Sequence, residues 1–211
     1  GKSSNEFMVV SEIGEDKIII CETCNIAMNQ EVAKFDKKSG VYSEKTDKRF
    51  EKVHTPDART IDELCEFLKL KPEQFLKCVL YSADGNVVMC IIRGDLDVND
   101  IKITNLLKCS EIDFATEEQL LAKGIVPGFA SPVGIGADVR IVVDDSVDFD
   151  CAYVSGANEV DYHKLNVVPS RDFPKHVEIA DIALADAGSK CDKCGTEFRI
   201  EKGIEVGHIF K

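Results

Sequence analysis

The sequence has no apolar run of the ~18 residues that a membrane-spanning helix needs, its longest candidate being the short stretch from Val87 to Ile92. It is also short of basic charge, with 26 Lys and Arg against 38 Asp and Glu and a formal charge of -12. Affinity for a polyanion comes chiefly from Lys and Arg displacing counterions, so autonomous binding of nucleic acid is not expected. An RNA substrate would need other surfaces to hold most of it. Tryptophan is absent, yet 44% apolar residues and eleven Phe against 30% charged residues are ordinary for a folded chain and exclude disorder as the default. Gly1-Lys2-Ser3-Ser4-Asn5-Glu6 lacks an initiator Met and a basic head leading into an apolar stretch, and is read as the start of an excised piece without a signal peptide. A length of 211 allows one domain, or one with a small appendage.

Cysteine, by contrast, is plentiful. Nine in a chain without a visible secretory signal speak against a disulfide framework and for a reducing, cytoplasmic compartment. Cys21-Glu22-Thr23-Cys24 and Cys191-Asp192-Lys193-Cys194-Gly195 have zinc-knuckle spacing, and together they would make a closed, structural tetrahedral site. The long interval between Cys24 and Cys191 is unlike a compact zinc ribbon but fits an insertion between two knuckles. Four reduced thiols, or a disulfide formed on handling, stay open as alternatives. Cys65, Cys78, Cys90, Cys109 and Cys151 are scattered singly and read as small hydrophobes of the core.

Along the chain, Phe7 to Val10 and Lys17 to Ile20 flank a turn-rich interval and are predicted to pair as antiparallel strands. Phe35 to Arg59 is crowded with charge and includes Ser39-Gly40, so a linker is expected there. Thr60 and Glu63 have capping-box spacing, and Ile61, Leu64, Cys65 and Leu68 follow at helical intervals. Pro72 opens a short helix. Phe75 to Tyr81 and Val87 to Arg93 then face each other across Asp84-Gly85, the strongest hairpin signal in the chain. Helices are predicted over Val98 to Leu107 and Thr116 to Lys123, and a loop of special geometry over Gly124 to Gly136, with four Gly and two Pro. Strands follow at Val139 to Val143, Cys151 to Val154 and His163 to Val168, then a polar helix-like stretch around Ile179 to Ala187 and a last strand pair at Glu197 to Ile200 and Glu205 to Phe210. The fold class expected is α+β: a mixed, largely antiparallel sheet or partial barrel with surrounding helices. Residues 53–172 read as an insertion, with flanks 1–52, including the linker, and 173–211 belonging to one other body.

Ser3-Ser4-Asn5-Glu6-Phe7, Gly14-Glu15-Asp16 and Lys202-Gly203-Ile204-Glu205-Val206-Gly207-His208-Ile209-Phe210 resemble the class II core of bacterial-type prolyl-tRNA synthetases. His54-Thr55-Pro56, Thr60-Ile61-Asp62-Glu63-Leu64, Arg93-Gly94-Asp95, Phe114-Ala115-Thr116-Glu117-Glu118 and Gly156-Ala157-Asn158 resemble the editing insertion of the same enzymes. The likeness covers nearly the whole chain and is specific, because motifs of two domains recur in one order. Asn5 departs from it where the family usually has His, in the flank and not in the insertion.

The resemblance implies an aminoacyl-tRNA deacylase-like fold that hydrolyses alanine from alanyl-tRNA bearing the proline anticodon. Such a second sieve is needed because missing methylene groups discriminate by only about 1–3 kcal/mol each. It also implies partners: the acceptor end of tRNA(Pro) and the remainder of a synthetase chain that is a homodimer. ATP and Mg serve the parent enzyme only, its ATP-binding arginine motifs lying outside these residues, and no cofactor is required for editing. A non-catalytic insertion that positions the acceptor end, or stabilises the synthetase, is the competing reading.

The resemblance places Lys77 at the mouth of the editing pocket, where it would hold the phosphate or ribose of the terminal adenosine; residue type alone also allows a strand Lys with its head in water. It matches Gly128, Pro132 and Gly134 to a loop whose backbone N–H groups would polarise an ester carbonyl, a stretch that unaided reads as a turn. It matches His163 to the histidine that helps select alanine, and Asp144, Gly156 and Ala157 to the pocket's substrate side. A lone His is otherwise commonly a satisfied structural residue, and Asp144, Asp145, Asp148 and Asp150 could form a solvated acidic edge. The sequence offers no nucleophile with its base, and the family's chemistry is substrate-assisted, with the free ribose hydroxyl placing water.

Overall fold

The computed structural model describes residues 4–38 and 44–210, and the chain divides into two units, Gly1–Ser39 with Leu184–Lys211, and Gly40–Ala183. The Gly1-Lys2-Ser3 head and the Ser39-Gly40 step of the expected linker lie outside the described residues. The chain opens with β1 (Ser4–Val10), β2 (Asp16–Cys21) and β3 (Ile26–Asn29). β2 and β3 form an antiparallel hairpin from Ile18 opposite Asn29 to Cys21 opposite Ile26, with Glu22-Thr23-Cys24-Asn25 in its turn.

The second unit begins with β4 (Glu51–His54), inside the stretch whose charge predicts a linker. β4 is an edge strand on β10, and an edge tolerates, even benefits from, charged residues such as Glu51 and Lys52. α1 (Ile61–Leu68) carries the expected capping box of Thr60 and Glu63 and buries Leu64 against Ala58, Phe75 and Val154. A single 3₁₀ turn at Pro72–Gln74 follows. β5 (Leu76–Ala83) and β6 (Asn86–Arg93) form the predicted hairpin, Ala83 pairing with Asn86, around a turn with φ of 46° at Asp84 and 81° at Gly85. Positive φ at both central positions is what a two-residue turn needs to match strand twist.

β6 explains the centre of the fold. Met89 and Ile91 point into one apolar cluster with Ile125, Ile141 and Tyr153, whereas Val88 and Cys90 point into another with Ile103, Val142 and Ile182. A strand buried on both faces reads as a continuous apolar run, which is why Val87 to Ile92 was the longest in the sequence. The remaining elements are α2 (Asp100–Leu107), β7 (Ile112–Phe114), α3 (Glu117–Leu121), β8 (Arg140–Asp144), β9 (Tyr153–Gly156), β10 (Tyr162–Val167), α4 (Pro169–Asp172) and β11 (Glu178–Ala180). They complete a five-stranded sheet of order β11-β8-β6-β5-β7 and a three-stranded sheet of order β4-β10-β9. A parallel bridge between Phe75 and Val154 joins the two. β6–β8 and β8–β11 are parallel and the other ladders antiparallel, so the architecture is the expected α+β half-barrel with few helices.

Two further sequence expectations change. The stretch around Ile179 to Ala187 is extended rather than helical: β11 lies parallel to β8, and Ile182 is buried where its carbonyl accepts from Asn99 N–H at 2.8 Å. Its polar residues mask a ladder partner supplied by Val142 and Val143. The last strand pair is one strand, β12 (Arg199–Phe210), which separates β1 from β2 in the sheet order β1-β12-β2-β3. Gly203 does not turn the chain but lets it pass closely: a Cβ there would lie 2.5 Å from Ile18 Cδ1, and one on Gly14 would lie 2.2 Å from the Gly203 carbonyl oxygen.

Candidate functional site

A cavity of about 670 Å³ opens in the second unit between the start of α1, the first half of β5, the segment after β6, and the ends of β9 and β10. Its size is that of an ordinary small-ligand site. Lys77, Gly128, Gly156 and His163, four of the residues singled out by sequence, line it together with Arg59, Phe75, Cys78, Ala130 and Ser155. Pro132, Gly134 and Ala157 are not on its wall.

The Gly128 loop is fastened to the segment after β9. Asn158 N–H donates to the Phe129 carbonyl at 2.8 Å, the Ser131 amide donates to Asn158 Oδ1 at 3.0 Å, and Asn158 Nδ2 donates to the Ser131 carbonyl at 2.8 Å. Asn158 reaches this position with φ of 53°, a conformation Asn tolerates better than most residues. The Ser131 and Ser155 hydroxyls meet at 3.2 Å, and Ile135 N–H donates to the Pro132 carbonyl at 3.2 Å, so Pro132 and Gly134 shape the loop from behind. Gly156 is the point of closest approach: a Cβ there would be 2.2 Å from the Ala130 oxygen and 2.3 Å from the Phe129 oxygen. Only glycine leaves room for the loop to lie on the strand. Among the described residues, no acceptor takes the amide N–H of Gly128 or Ala130. Two backbone donors therefore stand at the cavity wall.

His163 is 4% exposed, opposite Gly156 in the β9–β10 ladder. Its Nδ1 is 2.7 Å from Oγ1 of Thr55, itself fully buried, and its ring is tilted against Phe129 at 5.7 Å. Burial holds its pKa down to about 4, so the imidazole is neutral at physiological pH. A neutral ring with a fixed tilt makes a wall and one further hydrogen-bonding nitrogen; it does not repel a ligand ammonium. Cys78 is the thiol on the wall, and burial pushes it up to about 12, which keeps it protonated and poorly nucleophilic.

Lys77 lines the cavity with its Nζ 2.6 Å from Oδ1 of Asp97, which also lines it and whose side chain is 79% exposed. Such a solvent-facing pair is worth at most about 1 kcal/mol, so an anionic ligand can replace Asp97 at little cost. Arg59 adds a second cation, its guanidinium 5.6 Å from the Phe129 ring centre. Behind them Arg93, almost wholly buried, grips Asp95 with two hydrogen bonds of 2.5 and 2.8 Å. Gly94 between them is pinned by the Pro72 carbonyl, 2.5 Å from where a Cβ would be.

Asp144 is neither on this wall nor on a solvated edge. It is fully buried, and its two oxygens accept the amide N–H groups of Ser146 and Ile182, both at 2.8 Å. It ties the end of β8 to the segment after β11. Sequence reasoning missed Arg59 and Thr55. Arg59 was buried in a run of charge, and Thr55 pairs with His163 across a sequence gap of 108 residues that no local pattern spans. In the first unit, Cys21, Cys24, Cys191 and Cys194 come together, with all four sulfurs within 4.8 Å of one another.

Comparison with known proteins bears on the second unit first. The family model for the aminoacyl-tRNA editing domain matches residues 55–172. Proline–tRNA ligase of Dehalococcoides mccartyi is 50% identical over 211 residues, which are all of this chain and 36% of that protein. Proline–tRNA ligase of Thermoanaerobacter sp. (strain X514) is 42% identical over 214 residues, again all of this chain and 37% of the relative. The chain thus spans little more than a third of the length of these relatives. A solved structure described as that of a candidate trans-editing enzyme for prolyl tRNA synthetase superposes with a TM-score of 0.56 at 16% identity, covering 64% of this chain and 87% of that one, and shows the same fold. The matched segment begins at Thr55 beside His163 and runs through Lys77, the Gly128 loop and Gly156, so the cavity is built within it. The chain belongs to the aminoacyl-tRNA editing domain family.

Proposed function

We propose that the second unit hydrolyses the ester of alanyl-tRNA(Pro) after mischarging, within a proline–tRNA ligase that supplies the remaining tRNA contacts. The observation that carries this reading is the convergence of Lys77, the Gly128 loop, Gly156 and His163 on one cavity where, among the described residues, no nucleophile on the wall is hydrogen-bonded to a base on the wall. The hydroxyl bonded to His163 is that of Thr55, off the wall and fully buried, and the Cys78 thiol is held protonated.

Hydrolysis in such a site rests on placement. Lys77 and Arg59 at the mouth hold the terminal phosphate or ribose. The N–H groups of Gly128 and Ala130 hydrogen-bond the ester carbonyl and favour the oxyanion that develops there. Water attacks the carbonyl carbon, aided by the free hydroxyl of the terminal ribose, and the departing ribose oxygen takes the proton. His163, Phe129 and the carbonyls packed on Gly156 set the depth of the amino-acid pocket, which accepts a methyl side chain and rejects the pyrrolidine ring of proline. A chain of -12 meets only the acceptor end. Aminoacylation, ATP and Mg binding, dimerisation and a cytoplasmic location belong to the parent enzyme in this reading.

The test is release of alanine from alanyl-tRNA(Pro), with prolyl-tRNA(Pro) as control. The expected result is alanine release well above the buffer rate with proline left esterified. No release above buffer, by folded protein, overturns the reading, and equal hydrolysis of both esters overturns the pocket's selectivity.

A further inference from the structure

The four clustered cysteines lie outside the editing site, in the unit made from the two ends of the chain. We infer that they form a structural zinc site, a closed tetrathiolate that clips the β2–β3 turn to the segment preceding β12. Three observations carry it.

The first is spacing. A Zn–S bond of about 2.3 Å in tetrahedral geometry separates its sulfurs by about 3.8 Å. Here Cys21 Sγ is 3.5 Å from Cys194 Sγ, Cys191 Sγ is 4.0 Å from Cys24 Sγ, and all four are free thiols. Each short contact joins one C-x-x-C pair to the other, so the four sulfurs surround a common centre.

The second is backbone. Each pair is followed at once by a residue in left-handed conformation, Asn25 with φ of 51° and Gly195 with φ of 72°. Gly195 N–H donates to the Cys191 carbonyl at 2.8 Å, and Cys191 N–H donates to the Thr196 carbonyl at 2.8 Å, which locks the second turn. The two turns also meet through the Thr23 and Thr196 hydroxyls at 3.0 Å. Two matched, mutually bonded turns present two thiols each from opposite sides.

The third is energetic need. The first unit has few buried apolar side chains, Ile18, Ile19, Phe35 and Phe198 among them, while Phe7, Val10, Val206 and Phe210 on its sheet stay exposed. A small core of this kind is commonly completed by a staple, and zinc binding contributes directly to folding. Four protein ligands leave no open position, so the ion takes no part in ester hydrolysis. On binding, the thiol protons go to solvent, and the divalent zinc offsets half of the thiolate charge and screens the remainder by coordination.

The experiment is metal analysis of the 211-residue chain purified under reducing conditions without chelator, with the Cys191→Ser variant and a cobalt titration alongside. Roughly one zinc per chain is expected, falling at least several-fold in the variant. Cobalt(II) added to metal-stripped protein should give the intense absorption of tetrahedral thiolate coordination, and zinc should bleach it. Should the variant not fold, the cobalt spectrum of the unaltered chain decides. Zinc far below one per chain together with no thiolate–cobalt spectrum in folded protein overturns the site. Iron in place of zinc overturns the choice of metal, and a disulfide among the four that persists under reducing conditions in metal-free, folded protein overturns the clip.

Discussion

Asn158 and Ser131 exchange two hydrogen bonds through the amide head of one and the backbone of the other, at 3.0 and 2.8 Å. This pairing holds the Gly128 loop on the end of β9 and thereby fixes the two backbone donors at the cavity wall. Asn158→Ala should cut the deacylation rate by about tenfold or more while changing the KM for alanyl-tRNA little, since the loop would be loosened rather than removed. Asn158→Asp, which keeps the acceptor for Ser131 N–H, should retain more activity than Asn158→Ala. Steady-state kinetics on the folded variants checks both.

Gly156→Ala puts a methyl where the Phe129 and Ala130 carbonyl oxygens now lie, 2.3 and 2.2 Å away. Backbone cannot yield as a flexible side chain would, so the loop must move. The expected loss is about 1–3 kcal/mol of stability and most of the deacylation activity. Thermal unfolding and alanine release measured on the same preparation test the coupling of the two.

Lys77 and Asp97 make opposite predictions. Lys77→Ala should raise KM for alanyl-tRNA by about three- to tenfold and flatten its dependence on salt, because one phosphate-directed cation is lost. Asp97→Asn removes the exposed carboxylate that competes for Nζ at 2.6 Å, and should leave KM unchanged or lower it. Parallel KM measurements at two salt concentrations distinguish these outcomes.

His163 is held neutral down to about pH 4, whereas in the unfolded chain it takes up a proton near its ordinary value of 6.5. Between these values the unfolded state binds more protons, so His163 makes stability fall as pH drops from about 6.5 to 4 and adds no further change below that. The contribution is on the order of 3 kcal/mol. Chemical denaturation at pH 7 and pH 4.5 should show a larger stability loss for the unaltered chain than for His163→Gln, which cannot gain the charge. For the same reason, deacylation should show no inflection near pH 6.5 that disappears in His163→Gln.

Much of this is legible in the sequence itself. Asp84-Gly85 between two β-rich runs predicts its hairpin, and the Thr60–Glu63 and Thr116–Gln119 boxes mark two helix starts that the structure keeps. These signals are local, resting on residues a few positions apart. What sequence left obscure depends on distant partners: β4 and β11 look like linker and helix until β10 and β8 supply their ladders. The same division holds in the cavity. The glycines announce close backbone approach, but that Asn158 clamps Ser131 and that Thr55 orients His163 become visible only when β4, β9 and β10 are assembled.

β12 is the inner strand between β1 and β2, although among the described strands it comes last in chain order. At roughly 5–20 residues per second, β1 and β2 leave the ribosome well before the strand that must lie between them exists. Gly40–Ala183 is continuous and has all its ladder partners by then. Order of synthesis therefore favours one order of folding: the inserted unit can mature first, and the sheet β1-β12-β2-β3 can close only when its late inner strand arrives, a long-range pairing of the slow, high-contact-order kind.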